Sequence, residues 1–223
     1  MIANLERQFM TPAEYLAWEA EQQIRHEYID GEVYAIAGGT LPHNDIALNV
    51  YSVLRNYVKA RGCRINVADV KVMLSEKGPY FYPDVVVSCN EQDRRSRDAI
   101  YAPTLIIEVL SPSTSGFDYG DKFRYYRRLS SLQEYVLIDA EKIGVDRYLK
   151  GSNDKWVLTS YPDDMANEAN PDILELTSID FQCPLSLLYE DVELLPVSFY
   201  GCMDDETFIR HPQPEQSERE SID

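Results

Sequence analysis

Between Arg64 and Tyr161 the chain is a succession of short apolar runs separated by turn residues, and two of these runs, YFYPDVVVS and TLIIEVL, set a lone carboxylate among uncharged neighbours. The runs are RINV, VKVML, YFYPDVVVS, TLIIEVL, EYVLID, IGVDRYLK and KWVLTSY. Runs this short, rich in Val, Ile and Tyr and bounded by Gly, Pro, Ser and Asn, read as strands. Where they are almost continuously apolar, both faces of the strand must be covered. A chain with several such strands needs helices to cover them, and three stretches supply helical signals.

Thr11-Pro12-Ala13-Glu14 has the form of a capping box with proline at the first helical position, which predicts a helix to about Gln23. From His43 or Asn44 to Arg61, the residues Ile46, Val50, Val53, Leu54, Tyr57 and Val58 recur at helical spacing, and Gly62 stands where a C-terminal cap belongs. A third helix is expected from Asp118 to about Leu129. Asp30-Gly31, between HEYI and EVYAIA, predicts a β-hairpin. The expectation is an α/β fold: a mixed central β-sheet flanked by α-helices, with an N-terminal helix and hairpin, in one domain over residues 1–200. Beyond Tyr161 the pattern weakens, with a short helix expected near Pro184 to Tyr189. The stretch HPQPEQSERESID has almost no apolar content, so residues 204–223 are expected to be an acidic, disordered tail.

Asp84 opens Val85-Val86-Val87, and Glu108 is embedded in LIIEVL. An ionised carboxylate in a core strand costs several kcal/mol unless a cation or several donors meet it. Backbone or arginine hydrogen bonds are one answer. If the two strands lie side by side, a shared divalent cation is another, and carboxylates with water favour Mg²⁺ or Mn²⁺ over zinc. A helical wheel started at Tyr119 places Lys122 within the apolar stripe formed with Phe123, Tyr126 and Leu129, while Arg124, Arg127 and Arg128 turn outward. An inward lysine beside two acids is suited to orienting water and offsetting charge during phosphodiester cleavage. The competing reading is a lysine snorkelling at the edge of the stripe.

Pro83-Asp84 followed by Glu108-Val109-Leu110 resembles the PD-(D/E)xK motif of the restriction-endonuclease-like nuclease superfamily. The frame HEYIDGE, YPDVVV, EVLSPST, D-x-x-x-K-x-x-x-Y and EYVLID is more closely similar to the large bacterial family of restriction-endonuclease homologues within it, over about residues 10–150. The resemblance implies a metal-dependent endonuclease acting on DNA. In it Asp84, Glu108 and the Val109 backbone carbonyl would bind Mg²⁺ or Mn²⁺, and Asp84, Glu108 and Lys122 would carry catalysis. The superfamily lysine two residues after the second acid is replaced here by Leu110, and Lys122 is the relocated amine. Glu27 resembles a further acid of the N-terminal region, the alternative being an exposed hairpin glutamate. His43 also matches a recurrent position. Ser111, Arg94, Arg95 and Arg124 are the candidates for substrate contact, though helix entry accounts for Ser111 and a solvated charged face for the arginines. The family frame also implies a homodimer, since two sites are needed to cut two strands. The competing class is an inactive nuclease-fold module that binds nucleic acid or protein.

Charge bears on the DNA reading. The chain has 38 acids against 21 Lys and Arg, a net of −17, which excludes binding through a general basic coat. The imbalance is local: residues 151–223 hold 17 acids and three bases, whereas residues 1–150 are nearly balanced. Cys63, Cys89, Cys183 and Cys202 form no C-x-x-C pair, which predicts free thiols rather than zinc. With neither a spanning apolar run nor a signal-peptide pattern, a cytoplasmic protein without membrane contact is expected.

Overall fold

Thr11 opens the first helix, α1 (Pro12–Glu19), as its sequence requires: the Thr11 hydroxyl accepts the Glu14 amide and the Glu14 carboxylate accepts the Thr11 amide at 2.8 Å. The chain is seen here as a computed structural model that describes residues 9–36, 38–162 and 173–194. α1 stops short of Gln23 because the polar residues after Glu19 have little apolar surface to bury. Its Tyr15 is fully buried against Tyr28 and Tyr80, with ring centroids 4.9 and 5.6 Å away. The hairpin β1 (His26–Ile29) and β2 (Glu32–Ala35) turns at Asp30 (φ 49°) and Gly31 (φ 98°). Two successive positive φ values twist the turn with the strands, which is why Asp-Gly serves there.

The long helix α2 (Leu41–Ala60) starts two residues earlier than periodicity predicts, because Thr40 caps it and Pro42 lies in its first turn. Its Ile46, Ala47, Val50, Leu54 and Val58 are buried, and Gly62 at φ 74° ends it. Then follow β3 (Arg64–Val67), β4 (Val72–Met73), β5 (Tyr80–Phe81), β6 (Val85–Ser88), a short helix α3 (Glu91–Arg95) and β7 (Leu105–Leu110). The predicted third helix is three pieces: α4 (Ser115–Phe117), a π-helical turn (Asp118–Lys122) and α5 (Phe123–Tyr126). After it come β8 (Glu134–Asp139), β9 (Val145–Lys150), β10 (Trp156–Tyr161), β11 (Ile173–Leu176) and β12 (Phe181–Pro184).

A six-stranded mixed sheet, in the order β10-β9-β8-β7-β6-β3, forms the centre. Its β7–β8 pair is parallel and its other pairs are antiparallel. A smaller sheet, β2-β1-β5-β4, carries the N-terminal hairpin. The alternation of β7 divides the core: Leu105, Ile107 and Val109 pack with α2, whereas Ile106 and Leu110 pack with Phe123 and Tyr126. Glu108 shares the parity of Ile106 and Leu110, so it faces the α4–α5 segment.

Several expectations need correction. The stretch between YFYPDVVVS and TLIIEVL, which holds Arg94 and Arg95, contains α3, whose cap is Asn90. The acidic stretch beyond Tyr161 contains the β11–β12 hairpin, which adds Leu174, Leu176 and Cys183 to the α2 side of the core. The helix expected at Pro184 to Tyr189 is a single 3-10 turn, Leu185–Leu187. Cys63 and Cys89 are not free thiols but a disulfide. The cause is register: Arg64 pairs with Ser88, so the residues just outside that pair face each other with Cα atoms 4.1 Å apart. Cys183 is free and buried. The tail at 204–223 lies outside the described residues.

Candidate active site

The β6–β7 register sets Val85 opposite Ile107, so the next pair outward is Asp84 with Glu108. Facing residues of an antiparallel pair project to the same side, and the contacts bear this out. The Asp84 amide donates to Glu108 Oε2 at 3.4 Å, and the Val109 amide donates to Asp84 Oδ2 at 2.7 Å. Pro83 has no amide to continue the ladder, so the chain leaves the β7 edge just where Asp84 is needed. Glu108 is 2% exposed, and its Oε1 makes no hydrogen bond, although Lys122 Nζ lies 3.0 Å away.

Lys122 stands among three acids. Besides Glu108, its Nζ lies 3.2 Å from Glu27 Oε1 and 3.4 Å from Asp118 Oδ1. Glu27 comes from β1 and also accepts the Tyr82 amide at 3.4 Å, which links the small sheet to the site. Lys122 points inward as the wheel predicts, but the stripe differs. The buried positions are Asp118, Lys122, Phe123 and Tyr126, while Tyr119 is 40% exposed. The π-helical turn is the reason: widening the repeat from four to five residues brings Asp118 rather than Tyr119 onto the inner face. Asp118 is the acid that a uniform helical wheel does not single out as inward. Its signal is the D-x-x-x-K spacing itself.

Burial pushes the Glu108 carboxyl well above the usual range, with Lys122 opposing and the neighbouring acids adding to the rise. Asp118 is also raised by burial, against the pull of Lys122. For Lys122 burial acts downward, but Glu108, Glu27 and Asp118 outweigh it and hold the amine well above its ordinary value. The ammonium is therefore kept, and the acids compete for it. His43, at the start of α2, places Nε2 3.3 Å from Asp84 Oδ2 and also meets the Val109 backbone. Burial lowers its pKa, but the Asp84 hydrogen bond and charge more than reverse this.

The other candidates are placed differently. Ser111 follows β7 directly, its hydroxyl 3.1 and 2.9 Å from those of Ser113 and Thr114. It lines a cavity of about 270 Å³ with Tyr119, Asp139 and Lys142, at the carboxyl ends of the parallel strands β7 and β8. Arg94 and Arg95 lie on α3, beyond the opposite end of β6 from Asp84, and Arg95 pairs with Glu91 at 2.6 Å. Arg124 is exposed on α5, 3.8 Å from Asp121. The structure does not bring these three arginines to the acids. Among the described residues, no group of three or more His, Cys, Asp or Glu side chains is placed to hold a metal ion. No helix among them is long and apolar enough to cross a membrane.

A mixed sheet whose adjacent strands join Asp84 to Glu108, with a lysine presented by the following helical segment, defines a chain of the restriction-endonuclease-like class. The chain belongs to the Uma2 family, described as "Putative restriction endonuclease", whose profile matches residues 12–185. Two similar proteins of Synechocystis sp. carry the names "Uncharacterized protein slr1290" and "Uncharacterized protein sll1609". The first is 36% identical over 180 residues, covering 81% of this chain and 91% of that protein. The second is 39% identical over 161 residues, covering 71% and 91%. A crystal structure from Anabaena variabilis, of "a putative nuclease belonging to DUF820", superposes with a TM-score of 0.64 at 20% identity, covering 81% of this chain and 97% of that one. At that identity it supports the fold.

Proposed function

We propose that this chain is a metal-dependent nuclease that hydrolyses phosphodiester bonds in DNA. The observation that carries the reading is the Asp84–Glu108 pairing across β6 and β7, with Lys122 Nζ 3.0 Å from Glu108 Oε1. Asp84, Glu108 and the Val109 carbonyl are the groups that would hold Mg²⁺ or Mn²⁺. They fit such an ion on two grounds. Glu108 Oε1 is buried with the Lys122 ammonium as its one close partner, and the acids Glu27, Asp84, Glu108 and Asp118 outnumber the cationic groups Lys122 and His43 beside them. The lack of a third acidic ligand is compatible with Mg²⁺, which keeps several waters and needs only one or two carboxylates.

When bound, the ion supplies Lewis-acid chemistry, lowering the pKa of water and stabilising charge on the phosphate. Glu108 is held in orientation by the Asp84 amide and by Lys122. Lys122 is held in turn by Glu27 and Asp118, and it offsets negative charge as the phosphodiester is attacked. Ser111, which lines the adjacent cavity, would offer its hydroxyl to a phosphate oxygen. A homodimer supplies two such sites, one for each strand.

The test is cleavage of supercoiled and linear DNA with Mg²⁺ or Mn²⁺, together with Mn²⁺ calorimetry. Wild type is expected to cut, and Asp84→Ala and Glu108→Ala to lose both cutting and Mn²⁺ binding. No cleavage of any DNA form and no heat of Mn²⁺ binding would sink the proposal. Cleavage unchanged by Lys122→Ala would remove the lysine from the mechanism.

A further inference from the structure

Asp84 is 22% exposed at its side chain and stands at the rim of the site, so its carboxylate needs an external hold to keep one orientation. Two groups provide it, and both act on Oδ2: the Val109 amide at 2.7 Å and His43 Nε2 at 3.3 Å. Among the described residues Oδ1 receives no hydrogen bond. The Val109 backbone also lies beside the imidazole and, with Asp84, favours its charged form.

The chain builds a specific seat for that ring. Thr40 caps α2 by accepting the His43 amide, which fixes His43 in the first helical turn. Gly39 has ordinary φ and needs no glycine for its backbone. A Cβ there would nevertheless stand 2.8 Å from His43 Nδ1, closer than real Cβ atoms approach, and 3.1 Å from Cγ, tighter than most. Glycine at 39 thus leaves the imidazole the space that a Cβ would take. Metal-ligating carboxylates are commonly fixed by such outer hydrogen bonds, whose loss costs about 10- to 100-fold in metal affinity or activity.

We infer that His43, seated on Gly39, is a positioning residue that pins Oδ2 of Asp84 and leaves Oδ1 for the divalent cation. This rests on the metal-site reading of Asp84 and Glu108. The experiment measures Mn²⁺ affinity by calorimetry, and kcat and KM for DNA cleavage, on the full chain and three variants of verified thermal stability. His43→Ala is expected to weaken Mn²⁺ binding about 10- to 100-fold and to lower kcat with KM for DNA unchanged. His43→Gln, which keeps an N–H donor near the Nε2 position, recovers most of the loss. Gly39→Ala retains the histidine but displaces its ring, and gives an intermediate loss. Wild type that binds Mn²⁺ alongside His43→Ala and Gly39→Ala variants that bind it equally well overturns the assignment of His43 alone. Wild type that binds no Mn²⁺ overturns the metal site and this inference with it.

Discussion

Lys122 and Glu108 show how much a few buried residues decide. One ammonium stands among three acids out of water, and Glu27 and Asp118 still depend on it when Glu108 is protonated, so removing it leaves uncompensated charge in the core. Lys122→Met is expected to cost about 3–5 kcal/mol in urea denaturation, the range for breaking a buried ion pair from one side. Glu108 runs the other way. Its folded pKa is raised above the unfolded value of about 4.3, so the protonated form is the one that folding favours. Its contribution is fully present below that value and is lost as pH rises through the folded pKa. Glu108→Gln should therefore melt at a higher temperature than wild type at pH 7, with the gain shrinking as the pH approaches 4. A gain that does not change with pH would contradict this. At this scale the sequence was informative: two acids inside apolar runs and an inward lysine marked the site. Asp118 was harder to place because its orientation depends on a helical repeat that a uniform wheel does not contain.

Among the elements, the segment from Ser115 to Tyr126 is the one whose local geometry the site depends on. Gly120 lies in its π-helical turn, and nothing within 4 Å would meet a Cβ there. Gly120→Ala should accordingly add about 0.5–1 kcal/mol of stability, the helical preference of alanine over glycine, read from the urea midpoint. A loss would mean that the turn needs glycine's freedom. The edge strand β3 is tied to β6 by Cys63–Cys89 as well as by the ladder. Closing this loop should contribute about 2–4 kcal/mol, so reduction is expected to lower the denaturation midpoint. Thiol titration of the denatured chain should find two more groups after reduction than before it, those of Cys63 and Cys89. Scattered cysteine spacing could not reveal this pair, since only the β3–β6 register makes them neighbours.

For the whole molecule, charge distribution matters more than its total. The candidate site lies entirely within the nearly balanced first 150 residues, while the excess acid follows it. Repulsion from that excess should weaken DNA binding most at low ionic strength, where screening is least. Truncation after residue 203 removes seven acids and two arginines, and is expected to tighten DNA binding at low salt with little effect at high salt. A filter-binding salt series measures this, and equal affinities at low salt would exclude a role for the tail's charge.

The sequence by itself determined the strands of the central sheet, the hairpin at Asp30-Gly31, the helix α2 and the identity of the chemical groups, because each follows from local periodicity, turn chemistry or the cost of burying charge. Local pattern did not determine which groups share a site, and only the family resemblance joined Asp84, Glu108 and Lys122. Glu27, Asp84, Glu108 and Lys122 are spread across almost 100 positions, and they meet only because β6 pairs with β7 in one register while β1 and the α4–α5 segment close over the same face. The separation of Arg94 and Arg95 from the four acids, the contact of His43 with Asp84 and the Cys63–Cys89 bond were likewise decided by the tertiary structure, since each depends on distances between elements that no local pattern encodes.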